Sequence, residues 1–265
     1  MKLAIQLTLI LLATAPRVAF AQDVSFLLCF PGGPGSSTDA KPVVDAFLGA
    51  LKQSAGWTSV KGDYVNDAAT CQAAMAAGGA SVVVLPLDVY LERNTAWKLQ
   101  PVATLANTET ASRYHVLAKK GVTLEALKGQ KIASGLAASA GFLGRVGFDG
   151  KVDLNGGASF VKARTALKAL KDLDKGEVQA AIIDDVQQKA LQGLPLAQTL
   201  ETVLSGPELP GAIVSAVGAP VKGLSEALAS VCEKSPKICA DMRVNRFAPV
   251  DGAVLADLAK KLTTP

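Results

Sequence analysis

The chain has 265 residues, of which 49% are hydrophobic, 19% charged and only 5% aromatic, and its formal net charge is +4. When Lys2 and Arg17 of the first 21 residues are left out, the chain has 25 basic and 23 acidic residues. No basic stripe remains that would bind nucleic acid. The composition therefore excludes a nucleic-acid partner and favours an α/β core rich in Ala, Val and Leu.

The first 21 residues have the pattern of a secretory signal peptide. Lys2 precedes an apolar run from Leu3 to Ala13, and Ala19 and Ala21 are the small residues that a signal peptidase reads. We predict cleavage after Ala21 and an exported mature chain of about 244 residues, enough for one large domain or two lobes. Since no later run reaches the roughly 18–20 apolar residues of a spanning helix, we expect no stable membrane insertion.

A first series of strands and helices follows the predicted cleavage site. Its apolar patterns predict strands at 24–30, 58–65 and 80–85, with a helix ending near Gly56 and an Ala-rich helix at 68–77 between them. An alternation of strand and helix indicates parallel strands joined by right-handed crossovers.

A second series resembles the first in its construction. Strands are predicted at 113–118, 130–134, 158–161, 178–183 and 212–217, and helices at 124–127, 140–146, 163–173, 186–191, 225–233 and 252–262. Two similar series suggest a two-lobed clamp, and open parallel sheets bind ligands beyond the carboxyl ends of their strands. The loops expected to meet a ligand are 31–38, 66–67, 86–90, 135–141 and 184–185.

The four cysteines form an even set in a chain predicted to be exported, where disulfides persist. Cys232 and Cys239 enclose a loop short enough to close locally, which leaves Cys29 to pair with Cys71. A metal site would need Cys-x-x-Cys or Cys/His spacing, and the chain has a single histidine, so we expect neither a metal nor a cofactor.

The segment Pro31-Gly32-Gly33-Pro34-Gly35-Ser36-Ser37 resembles the oxyanion-hole loop of α/β-hydrolase peptidases. That fold also needs a G-x-S-x-G elbow and a Ser, Asp, His order along the chain, but the elbow is missing and His115 lies mid-chain. A phosphate-binding loop would need a lysine after the glycines, and none occurs before Lys41. An exported serine hydrolase stays as the alternative, and no catalytic residue is assigned.

Six further segments, taken in order, resemble type II periplasmic solute-binding proteins, and among them the phosphate/phosphite/phosphonate-binding family. The strand and short helix that open the second lobe are matched by residues 114–120 and 123–133, and the remaining motifs by Leu85-Pro86-Leu87-Asp88-Val89-Tyr90, Gly141-Phe142-Leu143, Lys175-Gly176-Glu177-Val178-Gln179-Ala180-Ala181 and Arg246-Phe247-Ala248-Pro249-Val250-Asp251. The resemblance covers nearly the whole mature chain.

The resemblance implies a two-lobed type II periplasmic-binding-protein fold, each lobe a mostly parallel sheet flanked by helices. Lobe one would comprise 22–108 and 209–265, and lobe two 109–208, with a hinge at the crossings 107–113 and 206–211. It further implies a monomeric periplasmic protein that captures a small molecule for an inner-membrane ABC transporter permease. The predicted ligand-site residues are Gly32, Gly33, Ser36, Ser37, Thr38, Asp88, Tyr90, Tyr114, Ser139 and Asp184.

One departure from this family concerns the ligand loop, where the family has G-S-T-S-G. This chain has Ala137-Ala138-Ser139-Ala140-Gly141, so Ser139 alone keeps a hydroxyl. Each lost charge-assisted hydrogen bond should weaken oxyanion binding by roughly 1.5–3 kcal/mol. We therefore expect a different or less polar ligand, a lipid-like molecule included, and expect Ser139 to face the 32–38 loop across the cleft.

Overall fold

The computed structural model describes residues 22–33, 35–106, 113–156 and 158–264. The predicted signal peptide with its cleavage site after Ala21, Pro34 of the first loop and most of the first hinge crossing lie outside the described residues.

Eleven strands and nine helices alternate along these residues. The strands are β1 (Asp23–Cys29), β2 (Ser59–Val65), β3 (Val82–Leu85), β4 (Leu99–Ala106), β5 (Tyr114–Lys119), β6 (Lys131–Ser134), β7 (Ser159–Lys162), β8 (Ala180–Asp184), β9 (Leu200–Ser205), β10 (Ile213–Val217) and β11 (Arg246–Pro249). The helices are α1 (Ser37–Ala55), α2 (Ala68–Ala77), α3 (Leu87–Arg93), α4 (Ala140–Phe142), α5 (Ala166–Lys175), α6 (Asp185–Leu191), α7 (Leu224–Lys234), α8 (Pro236–Asp241) and α9 (Gly252–Thr263). Short 3-10 turns (Glu125–Leu127, Pro195–Gln198) and a π-helical turn (Leu143–Gly147) complete them.

The strands form two sheets, with the order β11-β4-β10-β3-β1-β2 in one and β7-β6-β8-β5-β9 in the other. The pairs β1–β2, β1–β3, β6–β7 and β6–β8 are parallel, as the strand and helix alternation predicts. Only β10 and β11 in the first sheet and β5 in the second run against the other strands. Both sheets are therefore mixed, with most strands in one direction.

The chain crosses between the sheets twice, from β4 to β5 and from β9 to β10. The second crossing lies beside the ends of the first, because Gly206 N–H donates to the Tyr114 carbonyl (2.9 Å) and Leu105 N–H to the Ala212 carbonyl (2.8 Å). These are the two places predicted for the hinge. Helix α9 comes after the last strand of the first sheet, but it also contacts the part of the chain that forms the second sheet. There Nη1 of Arg145, in the π-helical turn, donates to the carbonyl of Leu262 in α9 (2.7 Å). The exact lobe boundaries stay a prediction.

Both predicted disulfides are confirmed. Cys29 at the end of β1 is bonded to Cys71 in α2, and Cys232 of α7 to Cys239 of α8, with Cα–Cα distances of 5.8 and 5.4 Å. The first bond fixes α2 against the end of a central strand. Among the described residues, no helix is both long and apolar enough to cross a bilayer.

Candidate functional site

A cleft of about 680 Å³ lies between residues of the two sheets. On the first-sheet side it is lined by residues that follow β1 and β3 together with the start of α2. On the other side it is lined by Arg113 and Tyr114, by the loop after β6, and by the residues that follow β8. This is the strand-end position at which open α/β sheets bind ligands.

The glycine loop after β1 is held in place by the segment after β2. Gly32 N–H donates to the Asn66 carbonyl (3.0 Å), and the Asn66 side-chain amide donates to the Gly35 carbonyl (2.6 Å). Gly32 has a φ of +75°, which L side chains rarely adopt, and a Cβ there would lie 3.2 Å from the Cβ of Ala137. The loops of the two sheets therefore meet at Gly32 and Ala137, and the predicted site residues Gly32 and Gly33 lie in the cleft lining.

The three hydroxyl residues predicted for the site do not line this cleft. Ser36 is the N-cap of α1, where its Oγ accepts the Asp39 N–H (3.2 Å) while Asp39 accepts the Ser36 N–H (3.2 Å). Ser37 and Thr38 form the first turn of the same helix. This capping box uses the hydroxyl of Ser36 locally, because the first N–H groups of a helix have no intrahelical partner.

Tyr90 is also absent from the cleft. The segment after β3, expected to be a loop, forms the helix α3 instead. Tyr90 is 5% exposed and packs in the core with Leu87 and Leu91. Asp88, two residues earlier on α3, lies on the cleft side.

Asp88, Tyr114 and Asp184, three of the predicted ligand-site residues, all line the cleft. Burial raises the pKa of the Asp88 carboxyl, and the neighbouring Glu92 adds to the rise. Burial also raises the pKa of Asp184, even though Asp184 caps α6 by accepting the Gln187 N–H (2.8 Å). The pKa of Tyr114 is raised mainly by burial and further by the charges of Asp88 and Asp184. The phenol therefore interacts electrostatically with carboxylates on both sides of the cleft.

Acidic side chains outnumber basic ones along the cleft. The lining includes the carboxylates of Asp88, Glu92, Asp184 and Asp185 but only the guanidiniums of Arg93 and Arg113. Within the described residues, no lysine or arginine nitrogen lies within 4.0 Å of Asp88, Glu92 or Asp184. Lys162 is near enough to act on the pKa of Asp88, but its ammonium donates to the Leu136 carbonyl. A half-buried carboxylate without a nearby cation is costly, and the raised pKa values of Asp88 and Asp184 reflect this cost.

Ser139 lines the cleft, but its hydroxyl contacts α3. The sequence predicts instead that Ser139 faces the glycine loop. Its hydroxyl accepts the Phe142 N–H (3.2 Å) as the N-cap of α4 and donates to Glu92 Oε1 (2.9 Å). Since Gly32 faces Ala137 instead, the hydroxyl of Ser139 meets α3. The carboxylate of Glu92 thus contacts the loop that follows β6.

The histidine of the chain does not assemble a hydrolase site with the glycine loop. His115 contacts Ser205 and Asp185, whereas the hydrogen bonds of Ser36 are with Asp39. Ser205 is not among the cleft-lining residues. Among the described residues, His115 therefore makes no hydrogen bond with a serine of the glycine loop.

Several lining residues were not expected from the sequence. They include Gln72, Glu92, Arg93, Arg113, Val186 and Gln187. Glu92 had a usable signal, because side chains four residues apart share a helix face and Asp88 was already assigned to the site. That signal depended on recognising α3 as a helix.

No model of a known protein family matches the sequence, and no curated protein matches it. Solved structures do match. A Xanthomonas citri protein bound to ATP is 13% identical with a TM-score of 0.69, covering 91% of this chain and 96% of that chain. The binding-protein component of a Pseudomonas aeruginosa phosphonate ABC transporter is 16% identical with a TM-score of 0.62, covering 91% and 85%.

A third similar structure is a Prochlorococcus marinus protein in complex with methylphosphonate. It is 11% identical with a TM-score of 0.64, covering 90% of this chain and 96% of that chain. At these identities the likeness defines the fold: the chain has the two-lobed type II periplasmic-binding-protein fold, as predicted.

Proposed function

We propose that this protein is a periplasmic solute-binding protein that closes its two lobes around a small organic cation and delivers it to an inner-membrane ABC transporter. The observation that carries this proposal is the cleft between the two sheets, in which Asp88 and Asp184 converge without a cationic partner within 4.0 Å. The fold supports capture between lobes, and the signal-like N-terminus and two disulfides support export.

The charge of the cleft supports a cation over the anions bound by similar proteins. Methylphosphonate is the ligand of the Prochlorococcus structure, and phosphonate is named for the Pseudomonas protein. Here four carboxylates face two guanidiniums, and one of these, Arg113, also lies 3.9 Å from Glu208 outside the lining. A cleft of one dominant sign attracts the opposite charge and repels its own. A lipid-like ligand fits these carboxylates less well than an ammonium or guanidinium compound does.

In the proposed function the protein acts as a monomer and its partner is a transporter permease. It uses no cofactor and no catalytic residue. Capture would order the glycine loop little, because Asn66 already fixes it, which lowers the entropic cost of binding.

A thermal-shift panel tests the proposal. Agmatine, putrescine, ethanolamine and choline represent cations, methylphosphonate and phosphate represent anions, and dodecanol represents apolar ligands. We expect one or more cations to raise the melting temperature, since a ligand that binds only the folded state stabilises it by mass action. The shift should disappear in Asp88→Asn and Asp184→Asn and persist in Asp63→Asn, which alters an exposed carboxylate of β2. A shift with dodecanol or the anions alone would contradict a cationic ligand.

An ester panel tests the hydrolase alternative on the same preparation. We expect no turnover above that of Ser36→Ala, Ser37→Ala and Ser205→Ala. Turnover lost in any one of these variants would replace the binding function with an enzymatic one.

A further inference from the structure

The hydrogen bond between Ser139 and Glu92 joins the two sides of the cleft. Glu92 lies on α3, which follows a strand of the six-stranded sheet, and Ser139 follows a strand of the five-stranded sheet. The distance from Ser139 Oγ to Glu92 Oε1 is 2.9 Å. No lysine or arginine nitrogen in the described part of the chain lies within 4.0 Å of Glu92, so its carboxylate is held by a hydroxyl rather than by a cation.

This bond uses the one proton that Ser139 is able to donate. The Oγ accepts the Phe142 N–H and donates its proton to Glu92, so a ligand anion would have to compete with Glu92 for that proton. Ala137 and Ala138, also in the lining, offer no side-chain donor. The sole hydroxyl of this loop is therefore committed to a carboxylate of the protein itself.

Glu92 also adds charge where an anion would enter. Asp88 and Glu92 are four residues apart on α3 and both line the cleft, so two carboxylates share one helix face. Their mutual effect is visible in Asp88, whose raised pKa owes part of its rise to Glu92. An oxyanion near Ser139 would meet both charges.

We propose that Glu92 is a specificity-determining residue, which excludes oxyanions by occupying the Ser139 hydroxyl and by repelling them. This inference rests on the proposed function in one respect, that the cleft is where the ligand binds. Glu92 would act as a built-in substitute for the acidic group of a ligand, and its removal would convert the cleft toward anion binding.

Calorimetric titration with methylphosphonate and with phosphate tests this role. Glu92→Ala removes the charge and vacates the hydroxyl, whereas Glu92→Gln removes the charge and keeps a group that can bond Ser139. Asp88→Asn is the matched control, because it removes the same charge from the same helix face without freeing Ser139. We expect Glu92→Ala to bind methylphosphonate at least about tenfold more tightly than the wild type, with smaller gains in Glu92→Gln and Asp88→Asn. The gain should be lost in Glu92→Ala/Ser139→Ala.

Two results would overturn the role of Glu92: equal gains in Glu92→Ala and Asp88→Asn, which indicate general charge repulsion, or no gain in a Glu92→Ala protein that melts as the wild type does. Glu92 is exposed, so this variant should fold. The proposed function is judged separately by the binding of amines to the wild type. If the wild type binds amines but Glu92→Ala gains no anion affinity, only the role of Glu92 is contradicted. If the wild type binds no amine but Glu92→Ala gains anion affinity, only the proposed cationic ligand is contradicted.

Discussion

His115 Nε2 lies 2.7 Å from Asp185 Oδ1, and this pair joins β5 to the start of α6 at the edge of the cleft. The other ring nitrogen, Nδ1, lies 2.9 Å from Ser205 Oγ at the end of β9, and Asp185 Oδ2 accepts the Arg113 N–H (2.9 Å). These contacts connect Arg113, which follows the first chain crossing, with Ser205, which precedes the second. The buried imidazole thus connects the hinge region to an acidic residue of the cleft.

Replacing His115 tests this connection. His115→Leu leaves Asp185 without its main partner, so we expect the free energy of unfolding to fall by about 2–3 kcal/mol, as for other bonds to charged groups. Ser205→Ala removes only the other hydrogen bond of the imidazole, from Nδ1 to a hydroxyl, and should cost about 1 kcal/mol. Urea titrations of both variants measure the difference. Because His115→Leu breaks both hydrogen bonds of the imidazole, equal losses would mean that the bond to Asp185 contributes nothing to stability.

Gly135, at the end of β6, allows the cleft loop to pass close to the start of α5. A methyl group there would overlap the backbone of Thr165 and Ala166, while one on Gly141 in the same region would reach only Asn155 Nδ2 at 3.9 Å. Gly135→Ala should therefore destabilise the protein by about 1–3 kcal/mol and displace the loop. Gly141→Ala, in α4, should be neutral or stabilising by up to about 1 kcal/mol. Thermal unfolding of the Gly135→Ala and Gly141→Ala variants tests this difference. Similar melting temperatures would contradict the close approach of Gly135 to the start of α5.

The two disulfides should differ in their effect on stability. The bond between Cys29 and Cys71 spans 42 positions and the bond between Cys232 and Cys239 spans seven. In the chain-entropy account the longer loop contributes about 1.5 kcal/mol more, because it restricts the unfolded chain further. Unfolding of Cys29→Ala/Cys71→Ala and of Cys232→Ala/Cys239→Ala measures both, and a larger loss in the second pair would contradict this order.

The raised pKa values of Asp88 and Asp184 make the ligand-free protein sensitive to pH. A carboxyl whose pKa is higher in the folded state binds more protons there, so its contribution to stability is fully present below the unfolded value near 3.8 and declines as pH rises through the folded pKa. Asp88→Asn should remove part of this decline and be more stable than the wild type at neutral pH. Melting temperatures from pH 4 to 8 test it, with Asp63→Asn as the control; parallel curves for wild type and Asp88→Asn would contradict it.

Local patterns were sufficient for much of the fold. The helix 68–77 was predicted with the bounds that the structure has, and the parallel strands β1, β2 and β3 follow from their apolar runs. Strand β4 was missed because Gln100, Pro101 and Thr104 interrupt its apolar pattern, and its pairing with β10 and β11 comes from distant parts of the chain. Such pairing overrides local propensity.

The site was less predictable because its contacts cross between the sheets. Six of the predicted ligand-site residues line the cleft because they lie at or near strand ends: Gly32, Gly33, Asp88, Tyr114, Ser139 and Asp184. The predicted residues Ser36, Ser37 and Thr38 lie outside the cleft lining, because Ser36 caps α1 and the other two form its first turn. The partnership of Ser139 with Glu92 joins residues 47 positions apart, and no spacing rule reveals it.

Native mass spectrometry of the protein purified without denaturation tests most directly whether the cleft captures a cationic solute. We expect a small 1:1 adduct that is released on mild heating and contains an ammonium or guanidinium group. It should be lost in Asp88→Asn/Asp184→Asn but kept in Asp63→Asn. An adduct that is an oxyanion without a basic group, or one that persists in the double variant, would contradict it.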